Sequence, residues 1–370
     1  MTLTIGQVTS THYHLSREVW WSQPLSDHTI AIDAIDLVTC RIETVEGISG
    51  LGYTYTLSSG GGAVRQLLGD EIAAGLIGRR VDRAEPVWHD IWRTMLRYGR
   101  GGIASVALAA ADVALWDALA KHADLPLHRY IGTHREEVPV YGSSIDLGYS
   151  EQKLLETVEG WLARGFSAVK IKVGRSLDDD LARLAAVRKL IGPDVRLMVD
   201  ANNGWTLPEA SRRIAAMAPF DLSWVEEPLM PDDVHGHAAL QAQTSTPIAA
   251  GETLFSVADF VRYFDAGAIR YVQADVGRVG GITPWLAVAE HAAARHLPMA
   301  PHFLHDLHVH LLCAVPNAAI LEYLPLMDAL IERPLQVVDG LAGPSLGPGH
   351  GIRFNESVLL PHLVSQSVAS

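Results

Sequence analysis

The chain has 370 residues, 48% of them apolar, and 29 Lys and Arg against 42 Asp and Glu give a formal charge of −13. Its length suits a barrel of roughly 250 residues beside a smaller domain. An acidic chain repels a phosphate backbone, and this one has neither a run of about 20 uncharged apolar residues nor a basic-then-apolar start, so neither nucleic acid nor a membrane is expected as partner.

Residues 30 to 54 alternate in the manner of paired strands, with Glu46-Gly47 as the turn between them. Cys40 lies in this stretch and Cys313 far beyond it; both have apolar neighbours, which fits two core thiols of a soluble, cytoplasmic protein better than a disulfide. The Gly/Ser cluster SSGGG at 58 to 62 lacks the lysine and spacing of a phosphate-binding loop and reads as a mobile loop. Residues 63 to 131 space their apolar side chains by three and four, most clearly in SVALAAADVALWDALAKHADLPLHRYIG, and predict helices.

From residue 138 the rhythm changes to short apolar strands separated by helical stretches. The strands are VPVYGSS (138 to 144), AVKIKVG (168 to 174), RLMVDANN (196 to 203), LSWVEEP (222 to 228), TPIAAGE (246 to 252), YVQADVG (271 to 277), LPMAPHF (297 to 303) and AILEYL (319 to 324). Eight buried strands alternating with helices predict a closed α/β barrel. The Pro/Gly-rich GLAGPSLGPGHGIRF then leaves it, and SVLLPHLV is expected to return to the first domain. The expected division is a capping domain over 1–132, a (β/α) barrel over 133–345 and a returning segment over 346–370.

The C-terminal ends of these strands carry Lys170 and Lys172, Asp200, Glu226, Glu252, Asp275, His302 and Glu322, close to one ionisable group per β/α unit. Strand C-termini form the catalytic rim of such a barrel, so groups scattered in sequence converge in space. Asp200, Glu226 and Glu252 would repel one another in a poorly solvated pocket unless a cation sat among them, and all-carboxylate ligands suit Mg2+ better than zinc. Glu227 points the other way by alternation and is expected in a supporting contact.

Lys170 and Lys172 share a face of their strand. A metal holding a substrate carboxylate lowers the energy of the enediolate formed when the α-proton leaves, and a desolvated lysine beside a second cation shifts toward a neutral, basic amine. Lys172, deeper, is expected to take the proton and Lys170 to polarise the carboxylate. His302, oriented by Asp275, supplies a second acid/base. Glu322 is expected to be protonated and to donate a hydrogen bond. His305, His308 and His310 read as ordinary hydrogen-bonding residues of the following helix.

With KIK, VDANNGW, WVEEP, AAGE, ADVGRVGG, APHF and ILEYL in order at barrel spacing, the chain resembles the enolase superfamily, mandelate racemase subgroup, from about residue 30 to 355. VHGHAAL, GRVGGITPWL and APHFLHDLHVHL look most like acid-sugar dehydratases of the talarate/galactarate type. The resemblance implies a (β/α)7β barrel capped by an N-terminal α+β domain and a homo-oligomer, dimer or octamer. It also implies Mg-dependent loss of the β-hydroxyl from a hexarate or aldonate, giving a 2-keto-3-deoxy acid. Asn202 and Ser143 would contact substrate oxygens. In the loop over residues 11 to 28, His12, His14 and Arg17 would read the distal end of the sugar while Trp20 and Trp21 exclude water. A racemase or epimerase would use the same Lys/His pair. A zinc hydrolase, suggested by the H-x-H of THYHL, lacks histidines where this chain has Glu226 and Glu252, and the full ionisable set argues against a non-catalytic barrel.

Overall fold

The computed structural model describes residues 3–21, 25–26, 31–143 and 146–370. The alternating N-terminal residues form β1 (Ile5–Ser16), β2 (Ala34–Thr44) and β3 (Ser49–Leu57), an antiparallel meander. Gly47, at φ +87°, completes the expected turn. SSGGG is not a free loop. Gly60 precedes the helix Gly61–Leu67, and the Gly61 N–H donates to Asp36 Oδ2 at 3.1 Å. A Cβ on Gly61 would sit 2.3 Å from that of Asp36, so only glycine allows this approach.

The helix Ile103–His122 lies across β3. It is long and apolar enough to span a membrane by composition, yet 89% of its most apolar window is buried in the fold. It is apolar on every side because it has neighbours on every side. The cap sheet covers one face, and opposite it Asp112 accepts the Thr283 N–H at 2.7 Å, at the start of the helix Ile282–Ala293.

The second half supplies β4 (Val138–Gly142), β5 (Ala168–Lys172), β6 (Arg196–Asp200), β7 (Leu222–Glu226), β8 (Ile248–Ala250), β9 (Tyr271–Val272) and β10 (Leu321–Tyr323), parallel in the order β10-β4-β5-β6-β7-β8-β9. Ser144 of the first expected strand lies outside the described residues. The stretch expected as a strand over 297–303 contracts to Met299, which bridges Val272 on one side and Ala318 on the other and so closes the ring. Pro298 and Pro301 flank it and have no N–H to extend the ladder. β11 (Leu341–Ala342) pairs antiparallel with the start of β4. β12 (Leu363–Ala369) pairs with β1 as the outer strand of the cap sheet, so the C-terminal segment does return to the cap. Both cysteines are buried free thiols.

Candidate active site

Strand alternation puts Lys170 and Lys172 on the inner face of β5, but their surroundings differ. Lys170 is 5% exposed; its Nζ lies 2.5 Å from Glu226 Oε1 and 2.9 Å from Glu322 Oε1, beside the ring of Tyr141. Burial alone would favour the neutral amine, but the charges on Glu226 and Glu322 outweigh it and hold Lys170 well above the usual lysine range. Lys172 sits nearer the mouth, with Nζ 2.6 Å from Asn202 Oδ1 and 3.2 Å from Asp200 Oδ2. Two expectations are corrected here. Lys170 is the deeper lysine, and interleaved carboxylates, not mutual repulsion, set its charge.

Lys172, Asp200 and Glu226 are in register across β5, β6 and β7. Burial raises the Asp200 carboxyl, but Lys172 and Lys170 beside it and the Asn202 N–H, 2.9 Å from Oδ1, bring it below the usual range. Glu226 is driven the other way, to about 7, by burial and by the charges of Asp200, Glu322 and Glu252, against the pull of Lys170. Its second oxygen accepts from Gln273 Nε2 at 2.6 Å and Trp224 Nε1 at 3.1 Å. Past β7 the chain turns at Glu227 (φ +40°), whose carboxyl accepts from Asn203 Nδ2 and Thr253 Oγ1, the supporting contact expected of it. Glu252 lies two residues beyond β8.

These donors fit Mg2+. All are carboxylate oxygens, and carboxylates that push up a buried neighbour mark a place where further positive charge is favourable. Among the described residues the tightest ligand-type group lies elsewhere: His305, Asp306 and Asp328, with ligand atoms within 4.8 Å of one another. Burial opposes a charge on His305, but the two carboxylates lift it to about 10. With Nε2 3.2 Å from Asp306 Oδ2 and 3.0 Å from Asp328 Oδ1, His305 forms an ion-pair triad with them.

On the far side of the barrel His302 Nδ1 is 2.8 Å from Asp275 Oδ2, and Nε2 is 3.4 Å from Glu252 Oε2. Burial disfavours the imidazolium, but Glu252 and the Asp275 bond raise His302 to about 9. Two further residues, absent from the sequence reading, complete this side. Tyr55 reaches from β3 of the cap and donates to Asp275 Oδ2 at 2.6 Å. Arg278 donates to Glu252 Oε1 at 3.2 Å, lies 3.8 Å from Asp275 Oδ2 and stacks 5.3 Å from the Tyr55 ring. Tyr55 carried no signal, because its position about three-quarters of the way along a cap strand says nothing about the barrel. Arg278 could have been noticed three residues after Asp275.

Glu322 is also corrected. It is ionised, not protonated: Lys170 and His302 outweigh burial and hold it well below the usual range, and its second oxygen accepts the Phe303 N–H at 2.8 Å. Ser143 and Asn202 line the cavity with Lys170, Lys172, Asp200, Glu252, His302 and Glu322. His14 and Arg17 do not. His14 Nδ1 lies 2.7 Å from Asp36, which also meets His12 Nε2 at 2.9 Å, and Arg17 is 3.4 Å from Glu18. Trp20 is buried, donating to Leu15 O, and Trp21 faces a separate groove. Residues 22–24 and 27–28 of that loop lie outside the described residues. Among the described residues the cap wall of the cavity is instead made by Leu25, Ser26, Ile32, Tyr55 and Leu57, facing Phe303, Leu324 and Leu326 of the barrel.

His308 and His310 are satisfied as expected. His308 lies 2.7 Å from Phe303 O and accepts the Val276 N–H, while His310 meets His350 O at 3.1 Å. A larger hollow, about 760 Å3, beside the segment 343–353 is lined by Lys121, Asp306, Glu332, Arg333, His350 and Arg353 and contains none of the residues expected at the site.

Residues 11–132 match the mandelate racemase / muconate lactonizing enzyme N-terminal domain, and residues 153–358 match the enolase C-terminal domain-like family. The chain is 39% identical to a 3,6-anhydro-alpha-L-galactonate cycloisomerase of Streptomyces coelicolor, over 88% of this chain and 91% of that one. It is 34% identical to the L-talarate/galactarate dehydratase of Salmonella typhimurium, over 87% and 81%. Among solved structures, L-talarate dehydratase from Polaromonas sp. JS666, complexed with Mg and L-glucarate, superposes with a TM-score of 0.93 at 34% identity, covering 100% of this chain and 99% of that one.

Proposed function

Because the chain belongs to the mandelate racemase / muconate lactonizing enzyme family of the enolase superfamily, whose metal is Mg2+, we propose that it dehydrates an acid sugar by removing the proton α to the carboxylate. The carrying observation is that two acid/base groups, Lys172 held by Asp200 and Asn202 and His302 held by Asp275, line one cavity from opposite sides of the barrel. Held by Asp200, Glu226 and Glu252, Mg2+ would neutralise charge that develops on the substrate carboxylate as the α-proton leaves.

The chain's own residues do the rest. Lys170, kept protonated by Glu226 and Glu322, presents a fixed positive charge to the carboxylate. One of Lys172 and His302 takes the α-proton; the other protonates the departing β-hydroxyl. Asn202 and Ser143 are placed to hold substrate oxygens. Leu25, Ser26, Ile32, Tyr55 and Leu57 of the cap, with Leu324 and Leu326, line the same cavity and would meet the rest of the substrate.

The test is a panel of aldonates and aldarates incubated with enzyme and Mg2+. A 2-keto-3-deoxy product from at least one of these acid sugars is expected; an epimer or ring isomer without loss of water would replace dehydration by isomerisation. That second reading is supported by the same two-sided Lys/His pair and by the cycloisomerase relative. Chelation should abolish turnover and Mg2+ restore it; full activity after exhaustive chelation would rule the metal role out.

A further inference from the structure

We propose that His305, Asp306 and Asp328 form a second metal site, separate from the three carboxylates at the barrel mouth and built for a zinc-type divalent ion. His305 Nε2 lies 3.0 Å from Asp328 Oδ1 and 3.2 Å from Asp306 Oδ2, and the three ligand atoms fall within 4.8 Å of one another. A tetrahedral ion with bonds of about 2.0–2.2 Å sets its ligand atoms about 3.3–3.6 Å apart, whereas a charge-assisted N–H···O bond closes to about 2.7–2.9 Å. Both separations fall between the two. A small movement therefore seats an ion where, in the metal-free chain, one Nε2 proton serves two carboxylates.

The remaining oxygens are already held. Asp306 Oδ1 accepts the Leu335 N–H at 2.8 Å and Asp328 Oδ2 accepts the Tyr323 hydroxyl at 2.9 Å, so each carboxylate turns its other oxygen to the centre. Outer contacts of this kind orient the ligands of metal sites. Among the described residues no lysine or arginine pairs with either aspartate, which leaves His305 alone against two negative charges. Protonated, the triad keeps one uncompensated negative charge; with a dication on a neutral imidazole it keeps none. Asp306 also lines the hollow beside residues 343–353, so an ion has a way in and water can complete its coordination. One nitrogen and two carboxylate oxygens suit zinc better than Mg2+, which takes oxygen ligands. An ion here ties the start of the helix His305–Ala314, just past His302, to the turn Asp328–Leu330, just past the strand that carries Glu322.

Titration calorimetry with Zn2+ in saturating Mg2+ tests this. The wild type should bind one equivalent with about micromolar affinity or tighter, and should unfold at a higher temperature in its presence. Asp328→Asn and His305→Gln should weaken that binding by more than about 100-fold, and Tyr323→Phe, which loses only the bond that orients Asp328, by about 10–100-fold. The Asp328 side chain is 23% exposed, so its variant tests the site even where His305→Gln disturbs the core. Asp200→Asn should leave the equivalent in place, which separates this site from the proposed catalytic metal. Binding no stronger in the wild type than in Asp328→Asn, or a loss seen only in Asp200→Asn, overturns the proposal.

Discussion

Two residues apart on one strand, Lys170 and Lys172 are separated in role by their neighbours. Lys170 neutralises Glu226 and Glu322 in the barrel interior, so Lys170→Met should cost about 3–5 kcal/mol in urea unfolding, the scale for leaving buried carboxylates uncompensated. Lys172, at the mouth, should behave oppositely: Lys172→Ala, like His302→Asn, should lower kcat by a factor of about 100 or more while the unfolding midpoint stays near that of the wild type. Wild-type turnover in both would end the acid/base assignment. His305 allows a pH test away from this site. Its folded pKa, about 10, exceeds the ordinary histidine value of 6.5, so it stabilises the fold fully below pH 6.5 and the contribution is lost as pH rises through 10. The stability gap between wild type and His305→Gln should therefore shrink from pH 7 to pH 10. Alternation made the facing of the lysines legible, but not their charge states, because Glu322 approaches Lys170 from a strand more than a hundred residues away.

Elements show the same division. The cap helix Ile103–His122 was readable from its apolar spacing, but how closely it approaches β3 was not. A Cβ on Gly52 would fall 2.0 Å from Ala110 O, and on Gly50 2.0 Å from Ala114 O. Since backbone would have to move, Gly52→Ala should destabilise by about 3 kcal/mol, whereas Gly160→Ala, on an exposed helix face with nothing within 4 Å, should stabilise by about 0.5–1 kcal/mol. Chemical denaturation of both variants checks the contrast. Seven of eight expected barrel strands formed; the eighth contracted to Met299 because prolines on either side cannot donate to a ladder. SSGGG looked free because glycine-rich composition does not distinguish a flexible loop from one where a side chain would collide.

Across the whole molecule, the cap and barrel are joined by buried polar contacts as well as apolar packing. Asp112 of the long cap helix accepts both the N–H and the hydroxyl of Thr283 at 2.7 Å, and Trp88 Nε1 donates to Gly280 O at 2.8 Å. Tyr55 carries this union into the site, since a cap phenol fixes the carboxylate that orients His302. Tyr55→Phe should cost about 1.5–3 kcal/mol in stability, the range for a hydrogen bond to a charged group; a change within error would mean that Asp275 is already satisfied by His302 and the Gly277 N–H.

From sequence alone followed the barrel, its cap, the three carboxylates, the two lysines and the His302–Asp275 pair, because strand periodicity and one ionisable group per β/α unit are local regularities that the barrel turns into convergence. Tertiary structure alone decided which lysine is buried, that Glu322 is ionised, that Tyr55 and Arg278 belong to the site, and that Leu25, Ser26, Ile32 and Leu57 rather than His14 and Arg17 line the cavity from the cap. Each of these depends on a distance between residues far apart in the chain, and both Coulomb energy and desolvation are set by such distances, not by sequence spacing.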